Sequence, residues 1–195
     1  MKPLIVLYML TLMFTGCLYP LSVNAQEEKI LLDIYLLSQE EQLVAYQMLV
    51  KDDPQNPRFQ NSLGFCYYRI ADYDTAEQHY VKALALDPTY SVAYNNLGVT
   101  YLKKDKSDIS KHYFEKAIRY DVHNVKAMYN LGVAYFKKGD YFKALRCYLK
   151  AKKMDAAYVK ERGDNEKAKK EVEEALLNKD PEDKILKKVS SQLNY

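Results

Sequence analysis

From residue 57 onward the apolar positions of the chain recur with a period of 34 residues. Leu63, Leu97 and Leu131 are each followed by glycine, and Tyr67, Tyr101 and Tyr135 stand three residues after those glycines. Thirteen residues after each leucine come Ala76, Ser110 and Ala144, then Tyr80, Phe114 and Tyr148, then Ala83, Ala117 and Ala151. Steps of three and four residues put each set on one face of a helix. Two such faces per unit predict a pair of antiparallel helices. Three units are framed, Pro57–Tyr90, Ser91–Asn124 and Val125–Tyr158. Glycine inside a helix costs roughly 1 kcal/mol relative to alanine. Its recurrence at Gly64, Gly98 and Gly132 therefore predicts close approach of the first helix to the second, where Ala76 and Ala144 keep the facing position small.

The residues that start and stop helices agree with this framing. Asn56-Pro57 supplies an N-cap and a first helical residue, and Asp180-Pro181 repeats the device. Lys137-Lys138-Gly139 puts cations at a helix C-terminus and glycine at the left-handed position beyond it. Pro88 ends the second helix of the first unit. In the middle unit Asp105-Lys106-Ser107 stands where the third has Gly139-Asp140-Tyr141, which predicts a less regular turn. Upstream, Ser38-Gln39-Glu40-Glu41 is a capping box opening a helix that runs toward Asp53. Residues 26–56 thus read as a degenerate helix pair whose first member spans Glu28–Leu37. Downstream, residues 159–195 read as charged capping helices, with Ala168, Val172, Ala175 and Leu176 and then Ile185, Val189 and Leu193 at helical spacing. A detachable amphipathic segment for a partner or a membrane is the alternative for that end.

The pattern closely resembles the tetratricopeptide repeat, over three units of 34, or 102 of the 195 residues. The resemblance implies an all-α fold, an α-α superhelix of antiparallel helix pairs with a concave groove lined by the first helix of each unit. Carried over residue by residue, the groove comprises Arg58, Asn61, Phe65, Tyr68 and Arg69 from the first unit. Val92, Asn95, Val99, Leu102 and Lys103 come from the second, and Lys126, Tyr129, Val133, Phe136 and Lys137 from the third. These positions hold aromatics and five cations and no Asp or Glu. The expected partner is a protein or peptide segment, extended or helical, with acidic residues or a C-terminal carboxylate. At the position where the family favours Trp the chain has Gln60, Tyr94 and Met128.

The N-terminus adds an address. Lys2 precedes an apolar run from Leu4 to Phe14, Pro20 follows, and Val23-Asn24-Ala25 has small residues at its first and last positions. This is the layout of a secretory signal peptide over residues 1–25, cleaved after Ala25. Two alternatives stay open. Phe14-Thr15-Gly16-Cys17 resembles a bacterial lipobox, which would make Cys17 the lipidated first residue. The uncharged stretch from Pro3 to Val23 is also long enough to span a bilayer uncleaved. All three put the repeats outside the cytoplasm, in a periplasm or cell envelope, with membrane contact only through the leader or a lipid anchor.

Composition adds little further chemistry. Twenty-nine basic and 26 acidic residues, for a net charge of +3, give no concentrated basic stripe of the kind nucleic acid requires. His79, His112 and His123 form no i, i+4 pair, and there is no HExxH or CxxC, so neither metal nor cofactor is expected. His79 and His112 read as solvated side chains of second helices. Cys66 and Cys147, in different units, read as buried thiols rather than a bridge. No GxSxG and no phosphate-cradling glycine loop occur. The function expected is that of a non-catalytic exported scaffold or adaptor, by resemblance one of bacterial envelope assembly. Self-association through the solenoid ends is the alternative, and an enzyme has no motif in its support.

Overall fold

The computed structural model of the protein describes residues 23–163. Residues 1–22 with Cys17, and the end helices expected beyond residue 163, lie outside them. Among the described residues the chain forms nine helices and no strand. A first pair, α1 (Val23–Tyr35) and α2 (Gln39–Asp52), precedes three more: α3 (Pro57–Arg69) with α4 (Tyr73–Leu86), α5 (Ser91–Lys103) with α6 (Ser107–Tyr120), and α7 (Val125–Lys137) with α8 (Tyr141–Met154). A short α9 (Ala156–Gly163) packs on α8. Each helix lies against its neighbours in sequence, the one-dimensional stacking of a helical solenoid. The expected all-α solenoid is therefore the fold.

First helices also touch first helices, α3 with α5 and α5 with α7. That contact closes the stack on their side, so α3, α5 and α7 form the inner face of the curve and α4, α6 and α8 the outer. The stack changes after α8. Four residues separate α4 from α5 and α6 from α7, whereas Asp155 alone separates α8 from α9. Asp155 caps the new helix by accepting from Tyr158 N–H at 2.9 Å, and α9 thus opens at Ala156, inside the frame of the third unit.

Caps and turns follow the local sequence. Ser38 and Glu41 form the reciprocal capping box, at 3.3 and 3.1 Å. Asn56 caps α3 ahead of Pro57, and Asp72, Asn124 and Asp140 cap α4, α7 and α8. The middle hairpin corrects an expectation. Ala71, Asp105 and Gly139 all adopt left-handed backbone, with φ of 63°, 55° and 75°. The next N–H then returns to the tyrosine carbonyl in each unit: Asp72 to Tyr67 at 3.0 Å, Lys106 to Tyr101 at 2.9 Å, Asp140 to Tyr135 at 3.0 Å. The turn at Asp105 is as regular as the others, because aspartate tolerates this region better than most residues. What it lacks is a cap, since Lys106 has no side-chain acceptor to offer α6.

The recurring glycines do separate the helices of a pair by a minimum of space. A Cβ on Gly98 would lie 2.5 Å from Cε1 of the fully buried Phe114 ring, and one on Gly64 would lie 2.8 Å from Cε1 of Tyr80. Ala83, Ala117 and Ala151 are fully buried at the next in-register position. Cys66 and Cys147 are buried free thiols, and burial pushes the Cys66 thiol up to about 11. His79 differs from its expected solvated role. It is half-buried, stacks flat on Tyr67 at 5.5 Å, and its Nδ1 bonds Gln60 Oε1 at 2.9 Å. His112 is exposed. Among the described residues no helix is long and apolar enough to cross a membrane.

Candidate protein-interaction groove

The inner face is held in place from behind. Gly64, Gly98 and Gly132 let α3, α5 and α7 settle onto their second helices, and at 100° per residue the inner positions lie about 40° to 140° around each first helix from its glycine. There Phe65, Arg69, Val92, Lys103, Lys126 and Lys137 are exposed. Arg58, Tyr68, Val99, Leu102, Tyr129, Val133 and Phe136 are half-buried. Asn61 and Asn95 are buried, and a partner would meet them only through their neighbours.

Those two asparagines belong to a chain of amides that crosses the inner face. Asn96 Nδ2 donates to Asn61 Oδ1 at 2.9 Å, and Asn130 Nδ2 donates to Asn95 Oδ1 at 2.9 Å. A longer contact, Asn95 Nδ2 to Asn96 Oδ1 at 3.4 Å, joins the two halves. Neutral amides of this kind satisfy one another without a charge to desolvate. They tie α3 to α5 and α5 to α7 at a fixed spacing. The separation of 35 residues in each bond was a readable signal, since Asn61 and Asn130 flank the Asn95-Asn96 pair by that interval.

The charges are less uniform than the inner positions alone predict. Glu27 from α1 approaches Arg58 at 3.4 Å, and Asp105 from the middle turn pairs with Lys137 at 3.0 Å. Arg69 Nη1 donates to Gln42 Oε1 at 2.6 Å, and its guanidinium lies 6.0 Å over the Phe65 ring. Carboxylates from outside the first helices thus reach two of the five cations. Lys103 and Lys126 make no ion pair among the described residues. Phe65 stacks on Tyr68 at 6.2 Å, so aromatic surface stands beside this basic stretch.

A residue that the repeat pattern did not point to joins the site. Tyr129 OH donates to the Arg162 carbonyl at 3.1 Å, and Tyr158 packs edge-on to Tyr129 at 6.1 Å. The Arg162 guanidinium lies 5.7 Å over Tyr158. Burial raises the pKa of Tyr68, Tyr129 and Tyr158, and the positive charge of Arg162 works against that rise in each. Arg162 was hidden because α9 starts early, out of the 34-residue register. Among the described residues no three His, Cys, Asp or Glu side chains are arranged to hold a metal ion.

The tetratricopeptide repeat family matches residues 57–90, 79–111 and 125–158. The chain is a tetratricopeptide-repeat protein. Among solved structures it is similar to a crystal structure of MamA, with a TM-score of 0.61, 23% identity, and coverage of 79% of this chain and 83% of that one. A second crystal structure, of MamA protein, has a TM-score of 0.58 at 23% identity and covers 79% of this chain and 76% of that one. A MamA RS-1 ArsTM double mutant has a TM-score of 0.60 at 21% identity and covers 79% and 82%. This likeness is one of fold. No curated protein matches the chain. Tandem tetratricopeptide repeats are a scaffold for protein–protein interaction and a typically non-catalytic one, and that is the class to which this protein belongs.

Proposed function

We propose that the protein is an exported adaptor that holds an acidic segment of a partner protein in the inner groove of α3, α5 and α7. The observation that carries this reading is the pairing of exposed Phe65 and half-buried Tyr68, Val99 and Leu102 with three cations that no carboxylate of the described residues neutralises, Arg69, held by the neutral Gln42, and Lys103 and Lys126. Aromatic anchors with nearby cations are the side chains on which binding energy concentrates. Unpaired lysines at the rim speed encounter with an anionic partner. The leader over residues 1–25 supports a periplasmic or envelope-associated location, whether it is cleaved after Ala25 or lipidated at Cys17. Assembly of an envelope complex is the role that fits both features.

Co-purification from cells tests the reading. The native protein is compared with a Lys103→Glu, Lys126→Glu variant of unchanged helicity by circular dichroism. The reading expects a partner held by the native protein and association slowed at least about tenfold in the variant. Equal capture by both would move the site off the groove. A second reading, self-association, draws on Leu32, Tyr35 and Leu36, which are 62%, 76% and 77% exposed at the N-terminal end of the described stack. It expects a mass in light scattering that grows with concentration.

A further inference from the structure

The outer side of the stack carries a series of rings that breaks off in the third unit. His79, Tyr113 and Cys147 occupy one position of the 34-residue register. His79 lies flat on Tyr67 and reaches Gln60. Tyr113 lies flat on Tyr101 at 5.3 Å and also stacks on Tyr94, at 6.4 Å. In the third unit the flanking residues are Tyr135 and Met128, and Cys147 brings no ring to place between them. A cleft of about 310 Å³ opens there, between α6 and α8. Its apolar lining is Met128, Leu131 and Ile118 with the Cys147 thiol, and Tyr135 lines it too.

The rim is basic. Lys143, Arg146 and Lys150 stand on successive turns of α8, facing Glu115 of α6 as the one carboxylate among the lining residues. Lys143 is engaged, pairing with Asp140 at 2.8 Å and lying 5.4 Å over the Tyr135 ring. Glu115 accepts from Tyr135 OH at 3.4 Å. Arg146 and Lys150 are exposed and make no ion pair among the described residues. A row of lysines alone would be an ordinary solvated face. Here the row borders an apolar cleft at the position that an aromatic ring fills in both preceding units.

We propose that this cleft is a binding site for an aromatic side chain flanked by carboxylates on a partner protein. The ring takes the place beside Tyr135 and Met128 that Tyr113 holds beside Tyr101 and Tyr94, and the carboxylates meet Arg146 and Lys150. At 100° per residue, Met128, Leu131 and Tyr135 lie on the opposite side of α7 from Lys126, Tyr129 and Val133. The site is thus separate from the inner groove and does not depend on the groove's function.

The chain has no tryptophan, so indole fluorescence reports a tryptophan peptide without background. The probe is acetyl-Asp-Trp-Glu-amide, titrated against acetyl-Asn-Trp-Gln-amide. The native protein is expected to bind the acidic peptide at least tenfold more tightly than the neutral one. Cys147→Tyr, which restores the ring of the preceding unit, is expected to weaken binding at least tenfold. Arg146→Gln with Lys150→Gln changes only exposed side chains and is expected to do the same, which keeps the test decisive should Cys147→Tyr not fold. The Lys103→Glu, Lys126→Glu groove variant is expected to bind the probe as the native protein does, so failure of one site is distinguishable from failure of the other. No binding of the acidic peptide by the native protein, or undiminished binding by the folded Cys147→Tyr or Arg146→Gln, Lys150→Gln protein, would overturn the proposal.

Discussion

Gly98 illustrates how much one missing side chain decides. Its helix tolerates the lower propensity because the Phe114 ring fills the space a Cβ would need. Overpacking costs about 1–3 kcal/mol, and a 2.5 Å approach belongs at the upper end of that range. Gly98→Ala returns roughly 1 kcal/mol of helix propensity, so a net loss of about 2 kcal/mol is expected in urea unfolding. Combining it with Phe114→Leu is expected to cost less than the sum of the two changes. His79 makes a second prediction. Burial, and to a lesser degree the nearby Lys82, hold its pKa below the ordinary 6.5. The folded state therefore binds the proton less readily than the unfolded chain. The stability contributed by neutral His79 is complete above pH 6.5 and is lost as pH falls from there toward the folded value. Between pH 8 and pH 5 the native protein is expected to lose more stability than His79→Gln; parallel losses would contradict the assignment. The glycines were legible as packing devices in the sequence, because only packing explains their period. His79 was not, because its partner Gln60 stands where an apolar residue is usual.

Among the helices and turns, small local choices set the joints. Ala71 holds left-handed backbone with a Cβ, which costs roughly 1–2 kcal/mol. Ala71→Gly relieves this at an entropic cost of about 0.5–1 kcal/mol, so a gain of about 0.5–1 kcal/mol is expected. Lys106 has φ −92° and ψ 63°, close to the −86° and 70° of the capping Asp140. Lys106→Asp is expected to add about 1 kcal/mol as an N-cap. Thermal midpoints that fall in either variant would contradict these accounts. Caps were readable at Ser38 and Asn56, where Glu41 and Pro57 complete the signal, and were not singled out at Asp72, Asn124 and Asp140. The regular turn at Asp105 was not readable, since the tolerance of aspartate for positive φ is less conspicuous than glycine's. The early start of α9 escaped as well, because Asp155, which caps it, stands in register with Asp87 and Asp121, and those begin four-residue links.

For the whole molecule, curvature converts a linear repeat into a surface. The asparagine chain from Asn61 to Asn130 ties the first helices together, and α9 brings the Arg162 carbonyl to Tyr129 of that face. The groove positions came as a set from the resemblance to the family. Their electrostatics were not, because Glu27 and Asp105 come from elements outside the first helices of the three units. Lys103 and Lys126 stand out only once those pairs are known. The most direct test of the groove places a photocrosslinking amino acid at Phe65, on the inner face, and separately at Val81, on the outer second helix, each about half exposed. The account predicts a crosslinked partner segment rich in Asp and Glu from the Phe65 position and none from Val81. The same segment captured from Val81 and not from Phe65 would contradict it.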